Sequence, residues 1–293
     1  MGIFRRLSVS PHDLTGKVAI VTGANVGIGL ETARYFAANN ATVILGCRNP
    51  DKANAAVLDI KTTTGNEKVE TWILNLSSFA SVREFTSRFL ETNKPLDILV
   101  NNAGLGGQPK PTKTTDGFEE IYQVNHLSHF LLTNLLLPAL KRAPAARVVN
   151  VSSSAHHFGK IDLDNLNGEK SYSNYQFYWN TKLINILFTN ELARRVKDDG
   201  IVVHSLNPGL VASDFGKEFS PTAKRIFKYI ASFLGRDTAE GAQTSIYVAV
   251  SEEAGKVTGK YWDSCKQSKP TRLGLDKELQ KRLWEVSVEA VRL

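Results

Sequence analysis

Short apolar runs recur along the chain, each followed by a stretch with helical periodicity. "KVAIVTG" (17–23) precedes "GLETARYFAANN", and "TVILGC" (42–47) precedes "DKANAAVLDIKTTTG". "VETWILNL" (69–76) precedes "FASVREFTSRFLETN", and "LDILVNNAG" (96–104) precedes a long helical segment at about 116–142. "ARVVNVSSS" (146–154) leads to the helix "FYWNTKLINILFTNELARRVKDD"; "IVVHSLNPG" (201–209) and a last strand "GKYWDS" (259–264) follow. Near-continuous apolar strands alternating with helices predict an α/β fold: a doubly wound parallel sheet with helices on both faces. No linker or repeat interrupts the pattern, so 1–293 reads as a single domain with a flexible N-terminal tail at about 1–15.

The 42% hydrophobic content supplies a real core, and 22% charge is ordinary for a globular chain. A formal charge of +7 suits an anionic ligand or an acidic membrane surface. No Lys/Arg run or aromatic-plus-basic module points to nucleic acid. Two cysteines, Cys47 and Cys265, form no disulfide framework and no zinc pattern, and no metal site is expected. No apolar stretch reaches 18 residues, and the N-terminus lacks a signal-peptide core, so the expectation is a cytoplasmic protein that is not secreted. The short "IFRRL" near the N-terminus could touch a membrane surface, although a frayed tail is the simpler reading.

"TGANVGIG" (22–29) sits where the first strand ends and a helix begins. Gly23, Gly27 and Gly29 would let the backbone approach a pyrophosphate, with free N–H groups of the helix N-terminus facing it. A plain tight turn would explain glycines alone. After the second strand, where a dinucleotide fold usually sets an acid for the ribose hydroxyls, this chain carries Arg48. A guanidinium matches a 2′-phosphate, which favours NADP over NAD; the alternative is a solvated surface arginine. Farther on, Tyr178 stands four residues before Lys182, on one helix face. A free phenol titrates near 10, and a nearby cation favours the phenolate. A downward shift of about 3 units, worth roughly 4 kcal/mol, would make it an acid–base group at neutral pH.

With these pieces assembled, the chain resembles the short-chain dehydrogenases/reductases over nearly its whole length. "TGANVGIG" matches the family's cofactor loop TGxxxGxG, "NNAG" (101–104) its fourth-strand motif, and Asn125 in "VNHLSHF" its helix asparagine. Ser153 in "NVSS" matches its serine, Tyr178 and Lys182 match YxxxK, and Pro208-Gly209 match the turn beside the nicotinamide. "NVSSSAHHFGKID", "LFTNELARR" and "EGAQTS" are most similar to the retinol dehydrogenase branch. The resemblance implies a Rossmann-type fold and NADP(H)-dependent interconversion of an apolar aldehyde or ketone with its alcohol. It implies a catalytic set of Asn125, Ser153, Tyr178 and Lys182. Tyr178 would protonate the carbonyl oxygen, Ser153 would hydrogen-bond it, Lys182 would hold the nicotinamide ribose, and Asn125 would keep a water toward Lys182. Cofactor contacts are implied for Gly23, Asn25, Val26, Gly27, Ile28, Gly29, Arg48, Asn75, Leu76, Asn102, Ala103, Gly104, Tyr178, Lys182, Pro208, Gly209, Val211 and Ser213. Asn75-Leu76 departs from the family's usual Asp-Leu, which alters the adenine contact. Membrane-bound members carry an N-terminal anchor, which is not expected here.

Tyr172 and Tyr175 rival Tyr178 as the acid, but Tyr175 stands seven residues from Lys182. Ser152 and Ser154 compete with Ser153, and the motif register selects Ser153. His126/His129 suit packing better than metal binding, and His156 is a candidate pocket wall. Segment 213–242 is where the family sets a substrate lid; Ile226, Phe227, Ile230, Phe233 and Leu234 form an apolar stripe in it. An ordinary core-packing helix is the alternative. Expected partners are a small lipophilic carbonyl or alcohol and, at most, a membrane surface, with monomer and homodimer both open. The rival function is a non-catalytic NADP-sensing regulator on the same fold.

Overall fold

The computed structural model describes residues 7–107, 110–211 and 236–293. Eight strands form one sheet: β1 Val18–Thr22, β2 Thr42–Cys47, β3 Val69–Ile73, β4 Ile98–Asn101, β5 Arg147–Val151, β6 Val202–Asn207, β7 Lys260–Asp263 and β8 Lys266–Ser268. Their order is β3-β2-β1-β4-β5-β6-β7-β8. All pairs are parallel except β7 with β8, a polar edge hairpin that apolar patterning does not announce. The doubly wound sheet expected from the alternation is thus the observed fold.

Besides a one-turn helix at Glu252–Gly255, the helices are α1 Gly27–Ala38, α2 Pro50–Thr64, α3 Phe79–Glu91, a short α4 Glu120–Tyr122, α5 Ser128–Leu140, α6 Asn174–Arg195, α7 Thr238–Val250 and, near the C-terminus, α8 Lys277–Val291. Local chemistry sets several ends. The Asn49 side chain caps α2 by accepting from Lys52 N, Pro50 starts it, and Gly65 at φ 70 ends it in the left-handed region. The single helix expected over 116–142 is instead interrupted between α4 and α5 by a π-helical turn, Gln123–Leu127.

β1 is buried at every position and β5 at four of five, as strands covered on both faces must be. On one face, α3, the π-helical turn, α5, α6 and α8 bury Phe89, Leu127, Phe130, Leu183 and Leu283 against Leu99 and Val148. On the other, α1, α2 and α7 bury Phe36, Ile60 and Val248 against Val21, Val100 and Val149. Burial at this depth stabilises by about 1.5–3 kcal/mol per large side chain.

The tail expected to be flexible over about 1–15 is tied down from Leu7 on. Val9 N donates to Gln243 Oε1 (2.7 Å), Leu14 N donates to Asn39 O (2.8 Å), and Leu14 itself is buried. Most of the expected lid, 213–235, lies outside the described residues. Its remainder, 236–242, is the entry to α7 and belongs to the core face packed on α1.

β1 pairs with β2 on one side and β4 on the other, so the strand order reverses between them. Such a switch point opens a crevice outside the carboxyl ends of the strands, where ligands bind in open α/β sheets. The segments after β1, β4, β5 and β6 all emerge there.

Candidate active site

After β1 the backbone turns at Gly23 (φ +64) and Gly27 (φ +62). A Cβ on Gly29 would fall 2.4 Å from Asn102 Nδ2 and 2.6 Å from Gly23 O, so only hydrogen fits there. A Cβ on Gly27 would meet nothing within 4 Å: the backbone is bare toward open space. α1 begins at Val26 without a side-chain cap, leaving its first amides for an anionic ligand. Asn25 is half-buried and Val26 exposed beside it, and Ile28 lines the cavity described below. A closely packed, uncapped, glycine-lined helix start suits a pyrophosphate, so the residues present fit a dinucleotide.

Thr22 ties this loop to β4. Its hydroxyl accepts from Asn102 N (2.9 Å) and Ala103 N (3.0 Å), and Asn102 Nδ2 donates to Thr22 O (2.8 Å). Arg48 follows β2 directly and is exposed at the crevice end of that strand. Asn75 Oδ1 accepts from Ser77 N (3.1 Å), and the carbonyl of the buried Leu76 accepts from Ser128 Oγ (2.6 Å). Asn75 therefore shapes the turn between β3 and α3.

The end of β5 is locked onto α6. Lys182 Nζ and Asn185 Nδ2 both donate to Val151 O (3.2 Å each), and Ser152 Oγ donates to Lys182 O (2.6 Å). Ser152 is thereby committed to the scaffold. Ser153 sits in the cavity wall, caps the following 3-10 turn by accepting from Ala155 N (3.1 Å), and hydrogen-bonds the Tyr178 phenol. Lys182 Nζ lies 5.6 Å from the Tyr178 ring centre. Tyr175 is exposed at the rim, and Tyr172 stacks on Phe177 (4.7 Å between centres).

The expectation that the ammonium lowers the phenol's pKa is not met by the chain alone. Burial pushes Tyr178 up to about 12, against the lowering effect of Ser153, and burial pushes Lys182 down to about 8. Withdrawal from water penalises both charged forms more than this pair repays. At neutral pH Tyr178 is a neutral phenol, the form that can donate a proton.

Asn125 lies in the π-helical turn and does not face the cavity. Its Oδ1 accepts from Leu105 N (2.7 Å), and its Nδ2 donates to Leu105 O (3.0 Å) and Thr181 Oγ1 (3.0 Å). It staples the segment after β4 to α6. Gly104 runs between Asn125 and Lys182: a Cβ there would stand 3.3 Å from Asn125 Oδ1 and 3.5 Å from Lys182 Nζ.

The remaining wall follows β6. Asn207 Oδ1 accepts from Ser154 N and Gly209 N (3.1 Å each), and its Nδ2 donates to Asp263 Oδ2 (2.9 Å). Arg236, which sequence reasoning missed, clamps the Pro208-Gly209 turn. Its Nη1 donates to Pro208 O (3.0 Å), its Nη2 donates to Ser264 Oγ (2.7 Å), and its backbone pairs beside Val211. Gly209 at φ +88 leaves room for that guanidinium, since a Cβ would fall 2.6 Å from Nη1. Ser213 lies outside the described residues.

Together these walls enclose a cavity of about 360 Å³ where Gly104, Ser153, Tyr178, Lys182, Pro208 and Val211 meet. His156 is not among its walls. It is fully buried, with Nδ1 2.6 Å from Ser153 O and Nε2 accepting from Thr271 N (3.3 Å). It holds the serine turn from behind; the helical reversal after β5 turns it inward. His126 pairs with Ser287 (2.8 Å) and His129 with Thr22 (2.9 Å). Burial pushes His126 down to about 3 and His129 to about 4. Among the described residues no cluster of three potential metal ligands occurs, and no helix is long and apolar enough to cross a membrane.

The sequence pattern of the family described as short chain dehydrogenase matches residues 17–224. The chain is 43% identical to human (Homo sapiens) retinol dehydrogenase 11 over 284 residues, 97% of this chain and 88% of that one. It is 42% identical to human retinol dehydrogenase 13 over 289 residues, 97% and 87% of the two chains. Among solved structures, an uncharacterized protein from Mycobacterium Paratuberculosis superposes with a TM-score of 0.77 at 32% identity, covering 96% and 95% of the chains. A short chain dehydrogenase from Escherichia coli CFT073 complexed with NADPH gives 0.68 at 25% identity, covering 86% and 98%. A 3-ketoacyl-(acyl-carrier-protein) reductase from Brucella melitensis complexed with NADH gives 0.67 at 25%, covering 85% and 97%. Fold, crevice and relatives agree: this chain belongs to the short-chain dehydrogenase/reductase family, an oxidoreductase of its retinol dehydrogenase branch.

Proposed function

We propose that the chain interconverts an apolar aldehyde or ketone and its alcohol by hydride transfer with NADP(H). The observation that carries this reading is the convergence of Ser153, Tyr178 and Lys182 on one cavity at the strand-order reversal. When bound, the nicotinamide would supply or accept the hydride. Tyr178, neutral at pH 7, protonates the carbonyl oxygen in the reductive direction. Ser153 donates a hydrogen bond to that oxygen and steadies the developing alkoxide. Lys182, held by Val151 O, keeps a positive charge behind the phenol and favours its anionic form after proton transfer. Arg48, exposed at the end of β2, reads the 2′-phosphate. The apolar cavity surfaces of Leu105, Val151 and Leu210 suit a lipophilic substrate, as do relatives named for retinol.

Initial rates with NADPH and separately NADH, on all-trans-retinal, an aliphatic aldehyde, benzaldehyde and a steroid ketone, test this. The expected result is turnover with an NADPH preference of about tenfold or more, about 1.4 kcal/mol. Equal rates with NADH would remove Arg48 from its role. NADPH binding without turnover of any carbonyl would favour a regulator over an enzyme.

A further inference from the structure

Near the N-terminus, "FRRLSVS" (4–10) carries a pattern that neither the sheet nor the crevice uses. Arg5 and Arg6 stand three and two residues before Ser8, and the apolar Val9 follows it. No other serine or threonine in the chain has basic residues at both of those positions. Ser8 lies on a strap that crosses the first turns of α7. Exposure alternates along it: Leu7 and Val9 are half-buried, Ser8 and Ser10 exposed, as in an extended chain.

The strap is lightly held at this end. Leu7 N donates to Glu240 Oε1 (3.4 Å), and Val9 N donates to Gln243 Oε1 (2.7 Å). Denser anchoring begins at Ser10, whose carbonyl accepts from the Tyr35 hydroxyl (2.5 Å), and continues at His12, whose N donates to Asn39 Oδ1 (3.0 Å). Residues 7–9 can therefore enter another protein's cleft at the loss of two hydrogen bonds, with the core left closed.

We propose that Ser8 is a phosphorylation site for a protein kinase that selects basic substrates. Carboxylates in such a cleft hold Arg5 and Arg6 by charge-assisted hydrogen bonds, and an apolar subsite takes Val9. ATP is the co-substrate: Ser8 Oγ attacks the γ-phosphorus, an O–P bond forms, the β–γ anhydride bond breaks, ADP leaves, and the hydroxyl proton passes to the kinase's base. The phosphoserine carries about −1.5 to −2 charge at pH 7. The adjacent Leu7 amide rests on the Glu240 carboxylate, so the new anion meets a like charge and lifts residues 7–9 from α7. Arg236, 3.8 Å from Glu240 Oε1, is committed to Pro208 O and Ser264 Oγ and does not turn outward to receive the phosphate.

The test incubates the folded full chain with ATP, magnesium and the catalytic subunit of cyclic-AMP-dependent protein kinase, and maps phosphate by mass spectrometry. One phosphate per chain is expected, on Ser8, absent from Ser8→Ala and retained in Ser8→Thr. Arg5→Ala and Arg6→Ala should each lower the initial rate of phosphorylation by about tenfold or more. Amide hydrogen exchange over residues 7–9 should quicken by about tenfold on phosphorylation, and by less in Glu240→Gln. Phosphate on another residue, equal rates in the arginine variants, or uptake by the heat-denatured chain alone overturns the site. Unchanged exchange in the phosphorylated chain overturns the release from α7.

Discussion

The inner and outer sides of the crevice are held by different forces. On the inner side, buried polar groups satisfy one another. Asn101 Nδ2 donates to Thr133 Oγ1 (2.9 Å) and Asn150 Oδ1 (2.8 Å), and Asn150 Nδ2 donates to Thr189 Oγ1 (2.9 Å). Thr22, Asn125, Thr181 and Lys182 continue that lattice to the reacting end. The outer side, from Phe158 to Tyr175, is apolar and touches by packing. Hydrogen bonds fix direction and leave a large penalty when one partner goes. Apolar contact is broad and tolerates change. The groups proposed for the chemistry are therefore anchored where misplacement is costly, and the outer wall is built where replacement is cheap.

The largest expected effect strikes the buried polar groups of the whole core through acid. Burial depresses His126 to about 3, and His129, His156 and His204 to about 4, below the ordinary value of 6.5. Between pH 6.5 and 4 the unfolded chain binds more protons than the folded one, so stability falls as pH falls. Full development is worth on the order of 3 kcal/mol for each histidine. Circular dichroism should show unfolding before pH 4; a native signal and undiminished melting temperature at that pH would refute the buried neutral histidines.

Next in size, Tyr178→Phe should lower kcat by about 10²- to 10⁴-fold while NADPH still binds. Retained turnover would shift the acid to another group. Asn125→Ala leaves Leu105 N, Leu105 O and Thr181 short of a partner and should cost about 1–3 kcal/mol in denaturant unfolding. An unchanged midpoint would show that the staple carries no weight. The smallest is Arg48→Gln, which should cut the NADPH-over-NADH preference about tenfold without altering kcat. Since Arg48 stands exposed on the outer surface, its removal should leave the melting temperature unchanged, and a large drop would place it in the scaffold.

How far the sequence reads depends on the reach of each interaction. Strands such as "KVAIVTG" and "ARVVNVSSS" are legible because burial on both faces demands unbroken apolar runs. β8 was not legible, because an exposed edge strand of Lys, Gln and Ser carries no burial signal. The spacing of Tyr178 and Lys182 brought them onto one helix face, but not their protonation, which burial governs. His156 was misread as a pocket wall because a 3-10 turn sets its direction. Arg236 escaped notice because its partners, Pro208 and Ser264, are distant in the chain on either side of it. Its local signals were its place just before the Asp237 cap of α7 and an acid four residues on, Glu240, whose Oε1 lies 3.8 Å from its Nε.

The wide turn at Gln123–Leu127 has a consequence for insertions and deletions. A π turn holds one residue more than the α-helical spacing around it, and each residue in an α-helix advances by about 100°. Removing Val124 would let α4 and α5 join as one regular rod, an easy outcome for the backbone. The same deletion would leave α4 and α5 in phase but redirect the residues of the turn itself, parting Asn125 from Leu105 or from Thr181. Such a chain would keep its helix content and lose its staple, so a shorter relative at this point would have to hold the segment after β4 by other means.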